Sequence, residues 1–510
     1  MSPTTYELII RGAREHAERV AVVFGEEQLT FAEVDQLSNR LAHALAQVGG
    51  GHRRRVGLLV NNSLLSVPID FACVKAGINR VPLNARLSVA EHTRMLTETR
   101  CELVVFEDAL TERARELSAA LPEIDFVGLQ STLSGGATLM ERADKAPATL
   151  PEVEVEPNDV ILTLFTSGTT GTLKAAQHTQ ASYASICRNV LLNLFAATRE
   201  DAMLHAASLI HASGVFVLPL WLRGGRTVIL PGFAPQQFLE AIPRYGITAI
   251  NLVPTMIQML VEHPDFAATD VSTLRQVIYG ASPMPRPIIE RAMSVWGRER
   301  FWQYYGQTEI PLCITVLRPE DHTGDRLAAC GQLSLDMELR LVDEDGREAA
   351  PGEPGEIVVR GPSAAAGYFN APELTAQGFG DGWVHTRDVG VLDENGFLFL
   401  KDRTSDMIIS GGYNVYPREV EDALLTHPAV REAAVVGTPD ERWVEAITAV
   451  VVLAEGAEAD DQLREELIAH VAQKVASYKK PRNVVFSDAI PKTAVGKLDR
   501  KQLRAQLSAN

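Results

Sequence analysis

The densest chemistry in this chain of 510 residues is the run Phe165-Thr166-Ser167-Gly168-Thr169-Thr170-Gly171-Thr172-Leu173-Lys174. Thr166, Ser167, Thr169 and Thr170 supply hydroxyls, Gly168 and Gly171 let the backbone come close to a ligand, and Lys174 adds a cation. The apolar segment Val160 to Phe165 predicts a short buried strand leading into this loop. The spacing Gly168-x-x-Gly171-x-x-Lys174 is not that of a Walker A loop, which needs G-x-x-x-x-G-K-[ST]. A polyphosphate is the ligand such a loop suits, and a nucleoside triphosphate is its commonest carrier.

The elements that must position this loop follow a rhythm of short strands and helices. Val56 to Val60, Arg80 to Leu83, Glu102 to Phe106, Ala249 to Val253 and Gln276 to Tyr279 read as strands separated by helical patterns. The fold class is therefore α/β, a large N-terminal domain of mixed and parallel sheets covered by helices. Leu133 to Pro157, rich in Gly, Ala, Pro and charge, reads as a surface connection. From about residue 337 to 401 close strands and turns predict a β subdomain. A boundary near Lys401-Asp402-Arg403 divides residues 1–401 from a compact α+β unit, 402–510. In that unit Pro417 to Thr426 and Leu463 to Val475 read as helices; Ala433 to Gly437, Ile447 to Leu453 and Asn483 to Phe486 read as strands.

Composition excludes several function classes. A net charge of −17 argues against nucleic acid or an anionic membrane as the main partner. No stretch approaches the ~20 apolar residues of a membrane span, and the N-terminus lacks the apolar core of an export signal. Cys73, Cys101, Cys187, Cys313 and Cys330 are odd in number and show no C-x-x-C spacing, so they read as free thiols in a reducing compartment. A cytoplasmic protein is expected.

Four further motifs join the loop: Tyr304-Tyr305-Gly306-Gln307-Thr308-Glu309; Trp383-Val384-His385-Thr386-Arg387-Asp388-Val389-Gly390; Lys401-Asp402-Arg403 with Asp406 to Glu421; and Pro491-Lys492-Thr493-Ala494-Val495-Gly496-Lys497-Leu498. In this order the set resembles the adenylate-forming superfamily of acyl-CoA synthetases, adenylation domains and luciferases, over nearly the whole chain. Lys174-Ala175-Ala176 and Ser405 make it similar to aryl-CoA ligases of the 4-chlorobenzoate type. Leu173 and Ala175 stand where relatives usually carry proline and glycine.

The resemblance implies an AMP-forming acid–thiol ligase using ATP, Mg²⁺ and coenzyme A. A carboxylate attacks the α-phosphate to give an acyl-adenylate and pyrophosphate, and a thiol then displaces AMP. Thr166, Ser167, Gly168, Thr169, Thr170, Gly171 and Lys174 would grip the β- and γ-phosphates, with Glu309 holding Mg²⁺. Tyr305 would stack on adenine, with Gly280, Ala281 and Ser282 as the opposite wall and Gly306, Gln307 and Thr308 completing the nucleotide motif. Asp388 would accept from the ribose diol, the task an acidic residue performs in dinucleotide sites, and Arg403 would contact the ribose or phosphates. Lys497 is the implied catalytic cation of adenylation, and Asp402 the hinge about which the C-terminal unit turns between half-reactions.

The remaining assignments concern the acid and the thiol. His211 would gate an acyl pocket built from Ala212, Ser213, Tyr279, Tyr304, Gly306, Ile310 and Pro311. With no Lys or Arg among these, an aromatic, alicyclic or medium-chain monocarboxylate is expected. Arg86, Gly411, Gly412, Tyr413, Trp443, Tyr478 and Lys480 would hold coenzyme A. A homodimer is compatible with this reading. Two alternatives stay open: an acid–AMP ligase that loads a carrier protein, and a non-catalytic nucleotide-binding relative.

Overall fold

The computed structural model describes residues 2–133, 135–166, 174–210, 212–343, 345–350, 352–403, 406–410, 413–440, 442–493 and 496–509, with backbone alone for 402, 403, 413, 414, 508 and 509. Two sheets dominate the large domain. The nine-stranded one runs Gln332–Leu333, Ile310–Leu317, Phe301–Gln307, Gln276–Gly280, Ala249–Leu252, Ala202–His205, Arg226–Ile229, Val20–Phe24, Glu27–Thr30. Its six central strands, Phe301–Gln307 through Val20–Phe24, are parallel. Ala202–His205 and Ala249–Leu252 are buried along their whole length, because helices cover both faces of a parallel sheet.

Side-chain alternation divides this sheet's two faces between two cores. Leu204, Ile250, Leu252, Val277 and Tyr279 pack into one. Met203, Ala249, Ile278 and Tyr304 pack into the other, under Ile186, Val190 and Phe216.

The second sheet has six strands, in the order Asp125–Gly128, Leu103–Phe106, Arg55–Leu59, Asn79–Pro82, Val160–Thr166, Lys174–Thr179. All neighbours are parallel except the last pair, an antiparallel hairpin whose Thr166 and Lys174 stand opposite each other. The seven residues 167–173 that join these ends lie outside the described residues.

Two differences from the sequence expectations have local causes. Leu133 to Pro157 is not wholly a surface connection: Leu139–Lys145 is a helix, capped by Thr138 and Glu141 in a reciprocal capping box. Its Leu139 and Ala143 are fully buried, so a short amphipathic turn inside a polar stretch anchors that stretch to the core. The other difference lies at the boundary. A strand expected over Phe397 to Leu400 instead runs Leu398–Arg403, carried on by pairing with Val384–Leu392.

That pair closes an antiparallel four-stranded sheet with Glu338–Val342 and Gly355–Arg360, the expected β subdomain. The C-terminal unit has its own five-stranded sheet, with Ile408–Ser410, Tyr413–Val415, Val430–Asp440, Val444–Leu453 and Asn483–Phe486. Helices Pro417–Leu424 and Asp461–Lys474 cover one face through Val420, Leu424, Leu467 and Val471. Leu503 of the helix Arg500–Ala509 packs on the other face.

Candidate active site

The hairpin Val160–Thr166/Lys174–Thr179 presents Lys174 at the base of the loop. Ser167, Gly168, Thr169, Thr170 and Gly171 lie outside the described residues, as do His211, Gly411 and Gly412. By alternation Lys174, Ala176 and His178 share one face of their strand. The Lys174 ammonium sits 5.4 Å from the ring centroid of Tyr368, a cation–π contact. The Tyr368 hydroxyl donates to Oε1 of Glu309 at 2.7 Å. The cation and the carboxylate expected at the phosphates are thus joined through one ring.

Tyr368 is held there by backbone pairing. Ala366 N–H donates to Gln177 O (2.8 Å), Gln177 N–H to Gly367 O (2.9 Å) and Phe369 N–H to Ala175 O (2.8 Å), while Ala365 N–H donates to Glu309 O (2.8 Å). Burial, followed by the charge of Glu309, pushes the Tyr368 hydroxyl well above the usual tyrosine value, so it stays a donor. His178, buried on the same strand face, donates from Nε2 to the carbonyl of Thr308 at 2.8 Å and fixes the backbone beside Glu309. Burial pushes His178 down to about 4, which keeps the ring neutral.

The nucleoside side is also pre-assembled. Tyr305 Oη donates to Asp388 Oδ2 at 2.7 Å, and both residues are buried. The Thr386 hydroxyl donates to Ile357 O (2.6 Å) and accepts from Asp388 N–H (3.1 Å), and Gln307 Nε2 donates to Thr386 O (3.4 Å). Asp388 pairs in register with Arg403, and Val389 with Asp402, so strand pairing brings the implied ribose acceptor beside the implied hinge. A Cβ on Gly280 would lie 2.4 Å from Tyr304 O, and one on Gly306 2.6 Å from Leu312 N, so both positions need glycine. Ala281, Leu312 and Arg387 have φ of 68°, 62° and 62°, left-handed backbone on non-glycine residues clustered around one site. Ser282 follows, half-buried, where the chain leaves the strand Gln276–Gly280.

Lys497 stands on a tight turn. Thr493 N–H donates to Lys497 O at 2.7 Å, Gly496 N–H to Thr493 O at 2.8 Å, and Lys492 pairs with Leu498. At the turn's tip a Cβ on Gly496 would lie 3.4 Å from Thr255 Oγ1, in the first turn of the helix Pro254–Val261. That helix starts at the C-terminal end of a central parallel strand, where ligands of open α/β sheets bind. The C-terminal turn therefore reaches the same rim as the nucleotide groups.

Residues 10–369 match the family model described as AMP-binding enzyme, and residues 419–497 match the AMP-binding enzyme C-terminal domain. The chain belongs to the AMP-binding enzyme family. It is 36% identical to the medium/long-chain-fatty-acid–CoA ligase FadD8 of Mycobacterium tuberculosis, over 99% of this chain and 90% of that protein. It is also 36% identical to a feruloyl-CoA synthase of Amycolatopsis sp., over 97% of each. The fatty acid–[acyl-carrier-protein] ligase ScoC of Streptomyces coeruleorubidus is 34% identical over 95% of this chain and 92% of its own length. Among solved structures, the anthranilate CoA ligase AuaEII in complex with anthranoyl-AMP superposes with a TM-score of 0.91 at 27% identity, over 99% of this chain and 98% of that one.

In this AMP-binding enzyme the expected acyl pocket is divided by the sheet. Tyr304, with Ala281 and Ala212 beside it, lies on the face that carries Ile278 and Met203. Ser213 is buried in the same turn as Ala212, and Pro311 and Gly306 are half-buried at the strand ends. Tyr279 does not join them. It is fully buried on the opposite face, where its hydroxyl donates to His322 Nε2 at 2.9 Å and His322 Nδ1 donates to Arg318 O at 2.8 Å. Ile310 is likewise turned away, into the core with Tyr305, Ile314 and Ile357. Strand alternation, not visible from a motif read as a string, separates these side chains.

The thiol-side candidates are distributed over both domains. Arg86 is exposed on the large domain, in the turn Asn84 to Leu87. Trp443 lies on the C-terminal unit with the Arg482 guanidinium 3.7 Å and that of Arg442 5.0 Å from its ring centroid, and the strand Tyr413–Val415 and residues Tyr478 and Lys480 belong to the same unit. Tyr478 lines a crevice of about 460 Å³ with Lys401, Tyr416, Glu419 and Lys479 at the domain boundary.

Sequence reading missed Tyr368, His178 and Thr255. Signals existed for two of them: His178 is four residues beyond Lys174, hence on its face, and Tyr368 opens the aromatic pair Tyr368-Phe369 after the small run Ala364-Ala365-Ala366-Gly367. Nothing local marks Thr255. Among the described residues no helix is long and apolar enough to cross a membrane, and all five cysteines are buried and unbridged.

Proposed function

We propose that this enzyme activates a monocarboxylic acid with ATP, releasing pyrophosphate, and transfers the acyl group from the adenylate to coenzyme A, releasing AMP. The observation that carries this reading is the link Lys174–Tyr368–Glu309, which puts a cation and a buried carboxylate on either end of one tyrosine at the mouth of the Thr166 to Lys174 loop. Lys174 would neutralise the leaving pyrophosphate. Tyr305 would stack on adenine and Asp388 would exchange its bond to Tyr305 for the ribose diol. Lys497, brought to the rim by its turn, would bridge the attacking carboxylate and the α-phosphate, stabilising charge that develops only in the transition state.

Glu309 fits Mg²⁺. Among the described residues no group of three or more His, Cys, Asp or Glu could cage a metal, and Mg²⁺ suits a site with one carboxylate, waters and substrate phosphates. When bound, Mg²⁺ would neutralise charge on the triphosphate; the chain's own part is to hold Glu309 in place through Tyr368 and, at Thr308, His178.

Residues 402–510 would then turn about Asp402 to bring Tyr413, Trp443, Tyr478 and Lys480 to the thiol, with Arg86 opposite. The acid would be an aromatic, alicyclic or medium-chain monocarboxylate, because Ala212, Tyr304, Ala281 and Pro311 offer it no cation. Five buried thiols, with Cys73 and Cys101 pushed by burial up to about 12 and Cys330 to about 11, suit a reducing cytoplasm.

Product analysis tests the proposal. ATP, Mg²⁺ and coenzyme A would be incubated with benzoates, cyclohexane carboxylates and fatty acids, and AMP, pyrophosphate and one series of acyl-CoA are expected. AMP and pyrophosphate with coenzyme A untouched would replace it with carrier loading, the reading that the likeness to ScoC favours. ADP and orthophosphate would end the adenylate reading.

A further inference from the structure

Four neighbouring strands of the nine-stranded sheet place polar or minimal residues on one face. Alternation from Met203, Ala249 and Ile278, which share a core, puts His205, Asn251 and Gly280 on that same face, with Tyr304 beside Gly280 on the next strand. His205 and Gly280 close their strands, Asn251 is one residue from the end of its own, and Tyr304 lies mid-strand opposite Gly280, on the side of Ala212 and Ala281. The Tyr304 ring lies directly over Gly280, where a Cβ would be 3.0 Å from Cδ2 and Cε2. Its hydroxyl thereby points along the sheet toward Asn251.

These groups are buried, and two of them carry an atom with no partner among the described residues. His205, Asn251 and Tyr304 are 0%, 4% and 3% exposed. His205 Nδ1 bonds Ser213 Oγ at 2.9 Å, which leaves Nε2 with no partner among the described residues. The Asn251 side chain, whose Nδ2 donates to Ile278 O at 3.5 Å, lies beside the Tyr304 hydroxyl, which has no other hydrogen-bond partner among the described residues. Orphaned polar atoms in a protein interior are uncommon and costly, and two of them on one face of the sheet, beside the residues expected to line the acyl pocket, call for a group that completes them.

Resting on the ligase reading above, we propose that His205, Asn251 and Tyr304 form the far wall of the acyl pocket and that the acid carries a hydroxyl at the end remote from its carboxylate. A hydroxyl is the matching chemistry because it both donates and accepts. It satisfies Nε2 in either histidine tautomer and the phenol in either role. An alkyl or unsubstituted aryl end would leave both atoms bare, and sites built to bond a substrate hydroxyl reject the analogue that lacks it far more strongly than apolar pockets reject an added methylene.

The test uses matched pairs: benzoate and 4-hydroxybenzoate, cinnamate and 4-hydroxycinnamate, octanoate and 8-hydroxyoctanoate, with AMP release as the readout. The full-length enzyme is expected to prefer the hydroxylated member of at least one pair by tenfold or more in kcat/KM. Tyr304→Phe removes one oxygen and His205→Leu one ring, and each is expected to shrink that ratio at least threefold; melting curves identify a variant that has merely lost its fold. Equal or better use of the unsubstituted acid in every pair would overturn the proposal and assign the orphaned atoms to buried water. So would a preference that survives in both folded variants. Absence of AMP from every acid would remove the ligase reading and this inference together, whereas AMP without hydroxyl preference removes the inference alone.

Discussion

On the proposed nucleotide side, Tyr305 and Asp388 hold each other and Tyr368 ties Glu309 to the Lys174 corner; on the proposed acyl side, His205 Nε2 and the Tyr304 hydroxyl are buried without a satisfied hydrogen bond among the described residues. The two walls meet at the strand Phe301–Gln307, whose successive residues Tyr304 and Tyr305 face opposite sides. Their difference is one of chemistry. Paired groups can exchange partners when ATP arrives, at little cost, and give a site indifferent to which acid follows. Unpaired groups raise the energy of the free enzyme, and only a substrate with matching atoms recovers it, which makes for selectivity.

The largest effect should separate Lys497, the proposed catalytic cation, from both walls. Lys497→Ala is expected to lower adenylate formation about 10²- to 10³-fold, the scale of losing one charge-stabilising donor. The loss should be the same for every acid, while thioester formation from supplied acyl-adenylate proceeds. Stopped-flow measurement of the two half-reactions checks this; equal loss in both would remove Lys497 from the adenylation step alone.

Next comes the paired wall. Tyr368→Phe deletes a hydrogen bond to a charged partner, worth roughly 1.5–3 kcal/mol, while retaining the ring under Lys174. A tenfold or greater fall in kcat/KM for ATP is expected, with the hydroxyl-to-unsubstituted acid ratio unmoved. A change in acid preference would mean that the two walls are coupled and the comparison is false.

How much of this was legible beforehand follows from where each signal lies in the chain. Lys174, Tyr305, Glu309, Asp388 and Lys497 stand in compact motifs, and the α/β class follows from strand and helix periods. The pocket was legible only in part, because membership of a motif says nothing about which face of a strand a side chain takes. Tyr279 and Ile310 were expected in it and pack into other cores, whereas His205 and Asn251, which we propose for its wall, lie in no motif. The bond between Tyr368 and Glu309 joins residues 59 apart, and the touch of Gly496 on Thr255 spans both domains; such contacts exist only once the chain is folded.

Each wall also contains a neutral buried histidine, and these predict a pH effect with a definite sign. Burial pushes His178 to about 4 and His205 to about 3, against 6.5 for the exposed ring. Above 6.5 folded and unfolded chains are both neutral, so the full stability is present there. Below it the unfolded chain takes a proton that the folded one refuses. Stability is therefore lost as pH falls from 6.5, until about 4 for His178 and about 3 for His205. Between pH 7 and 5 each should contribute a loss of about 2 kcal/mol. Denaturant titrations at the two pH values, compared with His205→Leu, should show the slope reduced by one proton. If the slope is unchanged, His205 is not held neutral, and the acyl wall is wetter than its burial implies.

The smallest effect tests the seam between the walls. Ala281 follows Gly280 with φ of 68°, one neighbour of the adenine slot and one of Tyr304. Left-handed backbone costs an alanine roughly 1–2 kcal/mol relative to its ordinary conformations, a penalty glycine escapes. Glycine loses more chain entropy on folding, which offsets about 0.5–1 kcal/mol of that relief. Ala281→Gly should therefore raise stability by between about 0 and 1.5 kcal/mol, measurable as a shift in denaturation midpoint. Its effect on turnover discriminates more sharply. A strained seam that holds Tyr304 against Gly280 should loosen when relieved, so the hydroxyl preference should fall while the KM for ATP holds. A rise in the KM for ATP with preference intact would assign the strain to the paired wall instead.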